Sequence, residues 1–561
     1  MKKLEKNKAA ILQLALDKNY WGKRLKDRRL ECAELLIASL DLAKVEPLEL
    51  ANWLDANKPE KPAKAKRPSA KAKPAADTMT GSALREALEV ADTAEIVIIT
   101  AAQNNTAINA LAWQAVQAAS LELHAQIIVL PIHYNLNAFS PAVSDAKEYF
   151  DPAVKPFLYD GGDHWLFDVD AIRVAPSLRS IPTDKLPING LAALNGGELF
   201  TVAPHTKQQL RTLPRLLDQP IRQALTTGCI TGYNYTATRA GATAQADHAY
   251  GFLIAKRDQT GVVTVTAIRI ASDGSYAFVL PSFTPDNEIP IWTAYGEPTQ
   301  TGDRPAVVLG DLHCEVYDPA TFDQTLAFLG QVDPCVVAIH DAIHFGTMSH
   351  HNRHDSIHLY RTKDQSVFDD LAEVIRQLNA IADFTDVLYM VESNHNAAVD
   401  RWIGDRSFDP SSSPHNAAIY HLISWLVCQE IDEGGTRQPW EIALQSGDLS
   451  GLPALTDKIV FGRMDQPFKV YGFDLSQHGH KGNNGSFGSH ATLAAYSNSG
   501  LALVSGHTHS SAITGKCYTV GTTASLNQGY NRGGGSSWTN AHALVWPNGE
   551  AHLVSLNFQT V

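Results

Sequence analysis

The sequence predicts an α/β protein, and three observations predict it. Short apolar runs rich in Val and Ile recur at 95–100, 125–131, 305–309, 335–339, 387–391, 469–475 and 501–505. Stretches with apolar residues at helical spacing lie between some of them, at 107–120 and 367–381. Composition is that of a globular chain, 44% hydrophobic and 19% charged over 561 residues, and no run nears the roughly 18 apolar residues of a membrane span.

Four segments follow from composition and charge. Residues 1–56 read as a basic helical module, a nucleic-acid-binding or oligomerisation unit or simply a solvated hairpin. Residues 57–78 form a Lys/Pro/Ala run that cannot bury a core and reads as a cationic linker. Residues 79–300 form an α/β or α+β middle domain of unstated role, and 301–561 a second α/β domain. Residues 1–76 hold 18 Lys and Arg against 10 Asp and Glu, whereas the whole chain carries a net charge of −13. A basic arm on an acidic body points to an anionic partner. The six cysteines are scattered without a C-x-x-C pair, which fits buried thiols in a reducing cytoplasm. The basic start, Met1-Lys2-Lys3, precedes no long apolar core, so neither a secretory signal nor a membrane partner is expected.

In the middle region, 95–100, 107–120 and 125–131 read as a β-α-β unit with a parallel strand pair, without the glycines of a dinucleotide loop. Residues 262–270 and 275–280 read as a hairpin around Asp273-Gly274. The stretch 227–251, with Tyr233, Tyr235, Arg239 and His248, reads as surface turns, a phosphate- or base-contacting loop being the alternative.

Chemistry is concentrated after residue 300, where 17 of the 22 histidines lie. There each strand ends in metal-capable side chains: Gly310-Asp311-Leu312-His313, His340-Asp341, Ser393-Asn394-His395-Asn396, His478-Gly479-His480 and Gly506-His507-Thr508-His509. Asp311 and His313, two apart on extended backbone, project to one side. Strand termini are rigid, so ligands on them keep a fixed separation. Imidazole nitrogen with carboxylate and amide oxygen, and no thiolate, favours Mn, Fe or Zn over Ca. Two such ions about 3.5–4 Å apart would activate a water and neutralise a phosphoryl oxygen.

In this order the five motifs resemble the calcineurin-like metallophosphoesterase superfamily, over about 305–560. The resemblance implies a four-layer α/β/β/α sandwich for 301–561 and two divalent ions, Mn first, with Fe, Zn or Mg as alternatives. It implies that Asp311, His313 and His509 hold one ion, that Asp341 bridges both, and that Asn394, His478 and His507 hold the other. It places His395 at the phosphate, as electrostatic stabiliser or general acid. His480 is an outer contact or the ligand in place of His478; His344, Arg353 and Asn396 are candidate outer-sphere or substrate contacts. Two departures stand out. The second motif reads His340-Asp341-Ala342-Ile343-His344 where the family has Gly-Asp-x-x-Asp. At the third, Asn396 replaces a carboxylate that would orient His395, leaving His395 less basic or oriented by another acid.

The superfamily fixes a reaction and not a substrate. The basic arm and linker favour DNA, by counterion release along a phosphate backbone. The segment from Ser393 to Arg401-Trp402 and the Arg/His-rich loop after Asp341 are similar to large phage metallophosphoesterases, including host-DNA-degrading pre-early proteins of T-five-like bacteriophages. That similarity implies a manganese-dependent DNase in a host cytoplasm, with a homo-oligomer left open. A small-substrate phosphatase or nucleotide phosphodiesterase, and a non-catalytic scaffold, are the alternatives. The run His350-His351-Asn352-Arg353-His354, with His358, lines a phosphate path or forms a solvated loop, and 533–537 reads as a flexible turn or a phosphate cradle.

Overall fold

The computed structural model describes residues 96–134, 150–283, 289–296 and 304–560, apart from isolated loop positions. All belong to one unit, Asp77–Val561. The expected helical module and linker, 1–56 and 57–78, lie outside the described residues. Among the described residues the chain is a mixed α/β structure with 11 α-helices and four sheets.

The six-stranded sheet carries Asp311, Asp341 and Asn394 beyond its strand ends, while His478, His507 and His509 follow strands of the ten-stranded sheet. The strands of the six-stranded sheet run in the order Ile459–Phe461, Val387–Met390, Val336–Ile339, Ala306–Val308, Ala541–Val545, Ala551–Ser555. The first four are mutually parallel, Ala541–Val545 is antiparallel to Ala306–Val308, and Ala551–Ser555 is antiparallel to Ala541–Val545. The inner strands, short and apolar, are buried on both faces, and Val460 of the edge strand is exposed. Val307, Val337, Ile339, Leu388 and Met390 point into a helix-lined core, while Ala306, Val308, Ala338 and Tyr389 point into a core between sheets. The helix Val367–Ala382 shows why the crossovers form: Ser366 accepts from the Phe368 and Asp369 amides, and Asp369 and Asp370 occupy the first turn. Its Leu371, Val374, Ile375, Leu378 and Ile381 all turn inward. Parallel strands with helical crossovers bring every C-terminal end to one rim.

Strands from either side of residue 300 meet in the ten-stranded sheet, where Ala512–Thr514 pairs with Gln209–Leu213. The division expected at 300/301 therefore separates segments that share a sheet and its core. Val202, Leu225, Val504 and Tyr518 of this sheet meet Val308 of the six-stranded sheet and Ile99 of the five-stranded one in a single apolar cluster. Helices Pro187–Ala192 and His490–Asn498 cover its far face. The β-α-β unit is present as Ile96–Gln103, Ala110–Leu123 and Gln126–Ile132, its strands parallel.

The expected hairpin is not formed. Residues 271–275 do make a turn, closed by the Ala271 amide on the Ser275 carbonyl, but the strands then diverge. Val262–Arg269 pairs with Gly251–Arg257, and Phe278–Ser282 pairs with Ile291–Tyr295. Phe278 and Leu280 pack in the core under the helix Ala110–Leu123 while Val279 faces the helix-lined core of the other sheet. A strand with both faces buried is held by tertiary packing, which local turn chemistry does not specify. In 227–251, Tyr233 is exposed, Arg239 opens the helix Arg239–Ala246, and His248 is buried, its Nδ1 2.7 Å from the Tyr235 hydroxyl.

Two fully buried histidines brace this frame in the neutral form. His205 Nδ1 accepts from the Lys207 amide, and His542 Nδ1 accepts from the Gly310 amide at 3.0 Å while its Nε2 faces the Thr325 hydroxyl. Burial pushes both rings down to about 3. The unfolded chain takes up these protons near pH 6.5 and the folded chain does not. The stability these two rings supply is therefore fullest above pH 6.5 and falls as pH drops toward 3, by about 1.4 kcal/mol per ring per pH unit. The urea midpoint of chelator-treated wild type should fall more between pH 7 and pH 5 than that of His205→Gln; equal falls would show that this ring titrates normally.

Candidate metal centre

Backbone geometry at the rim is unusual before any side chain is considered. His313, Asp341, His507 and His509 all have positive φ, at 44°, 43°, 75° and 54°, and Phe345 follows at 57°. Non-glycine residues held there cost of order 1 kcal/mol or more each and persist where surrounding contacts over-determine them. Two glycines make the close approaches possible. A Cβ on Gly310 would lie 2.9 Å from the Thr522 backbone, and one on Gly506 would overlap Asp311 Oδ1 at 2.1 Å.

Three sets of side chains converge as candidate ligands: His313, His344 and His395 form one, and two more contain Asp341. Asp311, His313, Asp341 and His509 offer donor atoms within 4.8 Å of one another, and so do Asp341, His478 and His507. Asp341 belongs to both. His313 Nε2 lies 3.0 Å from His509 Nε2, His509 Nε2 lies 3.0 Å from Asp311 Oδ2, and His478 Nε2 lies 3.1 Å from Asp341 Oδ2. Asn394 Oδ1 joins the second group, 3.0 Å from His478 Nε2.

These residues fit divalent cations. Asp311 Oδ1 and Asp341 Oδ1 are buried without a hydrogen-bond partner, a costly state for carboxylate oxygen unless a cation faces it. Two imidazole nitrogens bound at about 2.1 Å to one ion stand roughly 3.0–3.4 Å apart, the spacing of His313 and His509. Burial, with His395 adding, holds His313 well below its ordinary value, and burial brings His507 down to about 4. Both imidazoles are thus neutral, as ligands must be. Burial would raise the Asp341 carboxyl, but His478 and His395 hold it well below the usual range. Burial likewise opposes the charge on His478, and the Asp341 carboxylate overcomes it and raises that ring.

The departures in the second motif acquire a physical reading. His344 Nδ1 lies 3.3 Å from His313 Nδ1, and His340 Nδ1 lies 3.4 Å from His478 Nδ1. The two histidines flanking Asp341 thus stand behind one histidine of each ligand group. If His313 and His478 held ions through Nε2, their protons would lie on Nδ1, where His344 and His340 would accept them. Glu315 pins the loop by accepting from the His344 and Phe345 amides at 2.6 and 2.9 Å. Replacing His344 by Ala should lower affinity for the first ion roughly 10–100-fold, read by competition with a chelator. Unchanged affinity would make the contact mere packing.

His395 lies beside this group, its ring 4.7 Å from His313 and stacked at 5.5 Å on His344. Its Nδ1 meets the His344 carbonyl at 3.2 Å. That backbone oxygen orients the ring, and among the described residues no carboxylate is hydrogen-bonded to it. Asn396 does not face His395: it accepts from the Ile343 amide and donates to the Val391 carbonyl, tying the second motif to the third. Arg401 donates to the Asn394 carbonyl at 2.7 Å. His480 sits 5.3 Å from His478, ring to ring, outside both ligand groups. Arg353 is not brought to the site: its guanidinium is buried on Asp405, 2.7 Å away. His340 and Glu315 were not singled out from the sequence; the only local sign was a second motif with histidine at both flanks.

The chain is similar to Protein A1 of Escherichia phage T5, 29% identical with 97% of each chain covered. No family model matches the sequence. No solved structure matches it either.

Proposed function

We propose that this chain is a metal-dependent phosphodiester hydrolase of the calcineurin-like metallophosphoesterase type, acting on DNA in the cytoplasm of a phage-infected bacterium. The observation that carries the reading is the shared carboxylate: Asp341 belongs to two ligand groups that are otherwise separate. Helices over the six-stranded sheet, with the ten-stranded sheet behind it and helices beyond, support an α/β/β/α sandwich for 301–561. Similarity to a phage T5 protein along 97% of the chain supports a phage origin.

In this reading Asp311, His313, Asp341 and His509 hold one ion, and Asp341, Asn394, His478 and His507 the other. Manganese fits the donor set, with Fe, Zn or Mg as alternatives. Such a pair supplies Lewis acidity at the phosphoryl group and an activated water. The protein's own contribution is placement. The His344 carbonyl fixes His395 at Nδ1, which leaves Nε2 for the substrate. From there His395 stabilises charge on a phosphoryl oxygen or gives its proton to the departing oxygen. The histidines at 340 and 344 keep the ligand rings in register, and the buried rim limits competing water.

Purified protein incubated with linear and circular DNA, with Mn and with Mg, tests the proposal, nitrophenyl phosphates being assayed in parallel. Metal-stimulated DNA cleavage is expected. Hydrolysis of nitrophenyl phosphates alone would favour a small-substrate esterase, and metal binding without any hydrolysis a scaffold. Deleting residues 1–76 should weaken DNA affinity and flatten its salt dependence, since fewer counterions are then released. An unchanged salt slope would remove the arm from DNA binding.

A further inference from the structure

A groove of about 520 Å3 opens beside the metal centre, lined by Ser489, Thr508, Ser510, Asn531 and the loop 533–538. Thr508 lies between two ligand-group residues, His507 and His509, and the Trp538 ring packs edge-on against His509 at 4.3 Å. The groove therefore begins at the wall of the first ligand group. Its lining is hydroxyl, amide, glycine and the Trp538 indole, without a carboxylate among the described residues.

Arg215 lies against this loop. It follows the strand Gln209–Leu213 of the ten-stranded sheet and pairs by backbone with Ser536, amide to carbonyl in both directions at 2.9 and 2.7 Å. Its Nη2 reaches the Trp538 carbonyl at 3.5 Å, so the guanidinium stands behind the Trp538 wall of the groove, while Arg215 is not itself one of the lining residues. The side chain is 5% exposed, its Nε and Nη1 are buried without a hydrogen-bond partner, and no carboxylate pairs with it among the described residues. The other buried cations among the described residues are paired: Lys207 with Asp247 and Arg353 with Asp405. A buried guanidinium without a counter-charge is costly and is compensated when an anion arrives. Arginine is also the side chain whose forked donors match phosphate oxygens.

We propose that this groove binds a second, non-scissile phosphate of a polynucleotide whose cut phosphate lies at the metal centre, with Arg215 as its counter-charge and the hydroxyls and amides of 533–538 as donors. The inference rests on the proposed function and gives the middle region a part in it: a strand from before residue 300 delivers the arginine to a loop from the C-terminal half.

The test measures binding of a fluorescein-labelled 12-mer with phosphorothioate linkages to the metal-loaded full chain by anisotropy, across a salt series. Cleavage of the ordinary 12-mer and of bis(4-nitrophenyl) phosphate is followed in parallel. Arg215→Gln should raise the Kd about tenfold and lower the salt slope by roughly one. It should also lower the ratio of kcat/KM for the 12-mer to that for the small diester about tenfold. Because loss of a buried arginine can unsettle the fold, a second pair of variants keeps the test independent. Gly534 has open space where a Cβ would go, so Gly534→Asp and Gly534→Asn differ chiefly by a charge in the groove. The aspartate form should bind about tenfold more weakly than the asparagine form. Equal affinity of that pair, or of Arg215→Gln and wild type, with wild-type cleavage intact, overturns the groove alone. Inorganic phosphate competing as well as the 12-mer overturns it too, by showing a free-anion site. A wild-type chain that neither binds nor cuts the oligonucleotide overturns the proposed function together with this inference.

Discussion

Replacing Asp341 by Ala should remove both metal ions at once. Alanine at His509 or at His478 should weaken one ion and leave the other in place. The difference follows from the two ligand groups, which share Asp341 and no other residue. Metal analysis after gel filtration reads the stoichiometry directly, with two ions expected for the wild type and none for Asp341→Ala. Thermal unfolding gives a second readout. Each ion stabilises the folded state by about 2.7 kcal/mol when its concentration is a hundredfold above Kd, so chelation should lower the wild-type Tm and leave the variant's Tm where it was. DNA cleavage by the variant should fall at least roughly a thousandfold, since both Lewis acids are lost. One tightly bound ion surviving in Asp341→Ala would show that the carboxylate is not shared.

His395→Ala should separate binding from chemistry. This side chain belongs to neither group that contains Asp341, so the variant should retain both ions and its metal-dependent Tm. Its kcat should fall about 10²–10⁴-fold, the usual contribution of a positioned acid or base. The substrate series then distinguishes the two roles. As a general acid, His395 matters most for DNA, whose alkoxide leaves reluctantly, and little for a nitrophenyl ester, whose leaving group needs no proton. As an electrostatic stabiliser it matters about equally for both. Full DNA cleavage by His395→Ala would make the assigned mechanism wrong while leaving the metal centre intact.

Part of this centre was legible without coordinates. Apolar runs ending in Asp311, Asp341 and Asn394 are short buried strands whose identity is set by local composition, and all three appear as parallel strands of one sheet. The helix Val367–Ala382 is carried by its own periodicity and by its cap at Ser366. Other features have no local signature. The 275–280 segment leaves the turn at Asp273-Gly274 because Phe278 and Val279 are claimed by different cores. His395 is oriented by a backbone oxygen 51 residues away, and the Gly310 amide is held by His542 from 232 residues away. Gly506 reads as an ordinary loop glycine until the Asp311 carboxylate is found in the place of its Cβ.

By itself, then, the sequence determined which residue types stand at strand ends and in what order, because strand and helix formation respond to neighbours within a few positions. Tertiary structure alone decided which of those ends meet. It made Asp341 common to both ligand groups, set the flanking histidines behind their partners, and carried Arg215 from an earlier segment to the groove beside His509. These are contacts between residues tens to hundreds of positions apart. They are selected by how three sheets pack around one core and by which buried polar groups find partners there, and no local pattern encodes that choice.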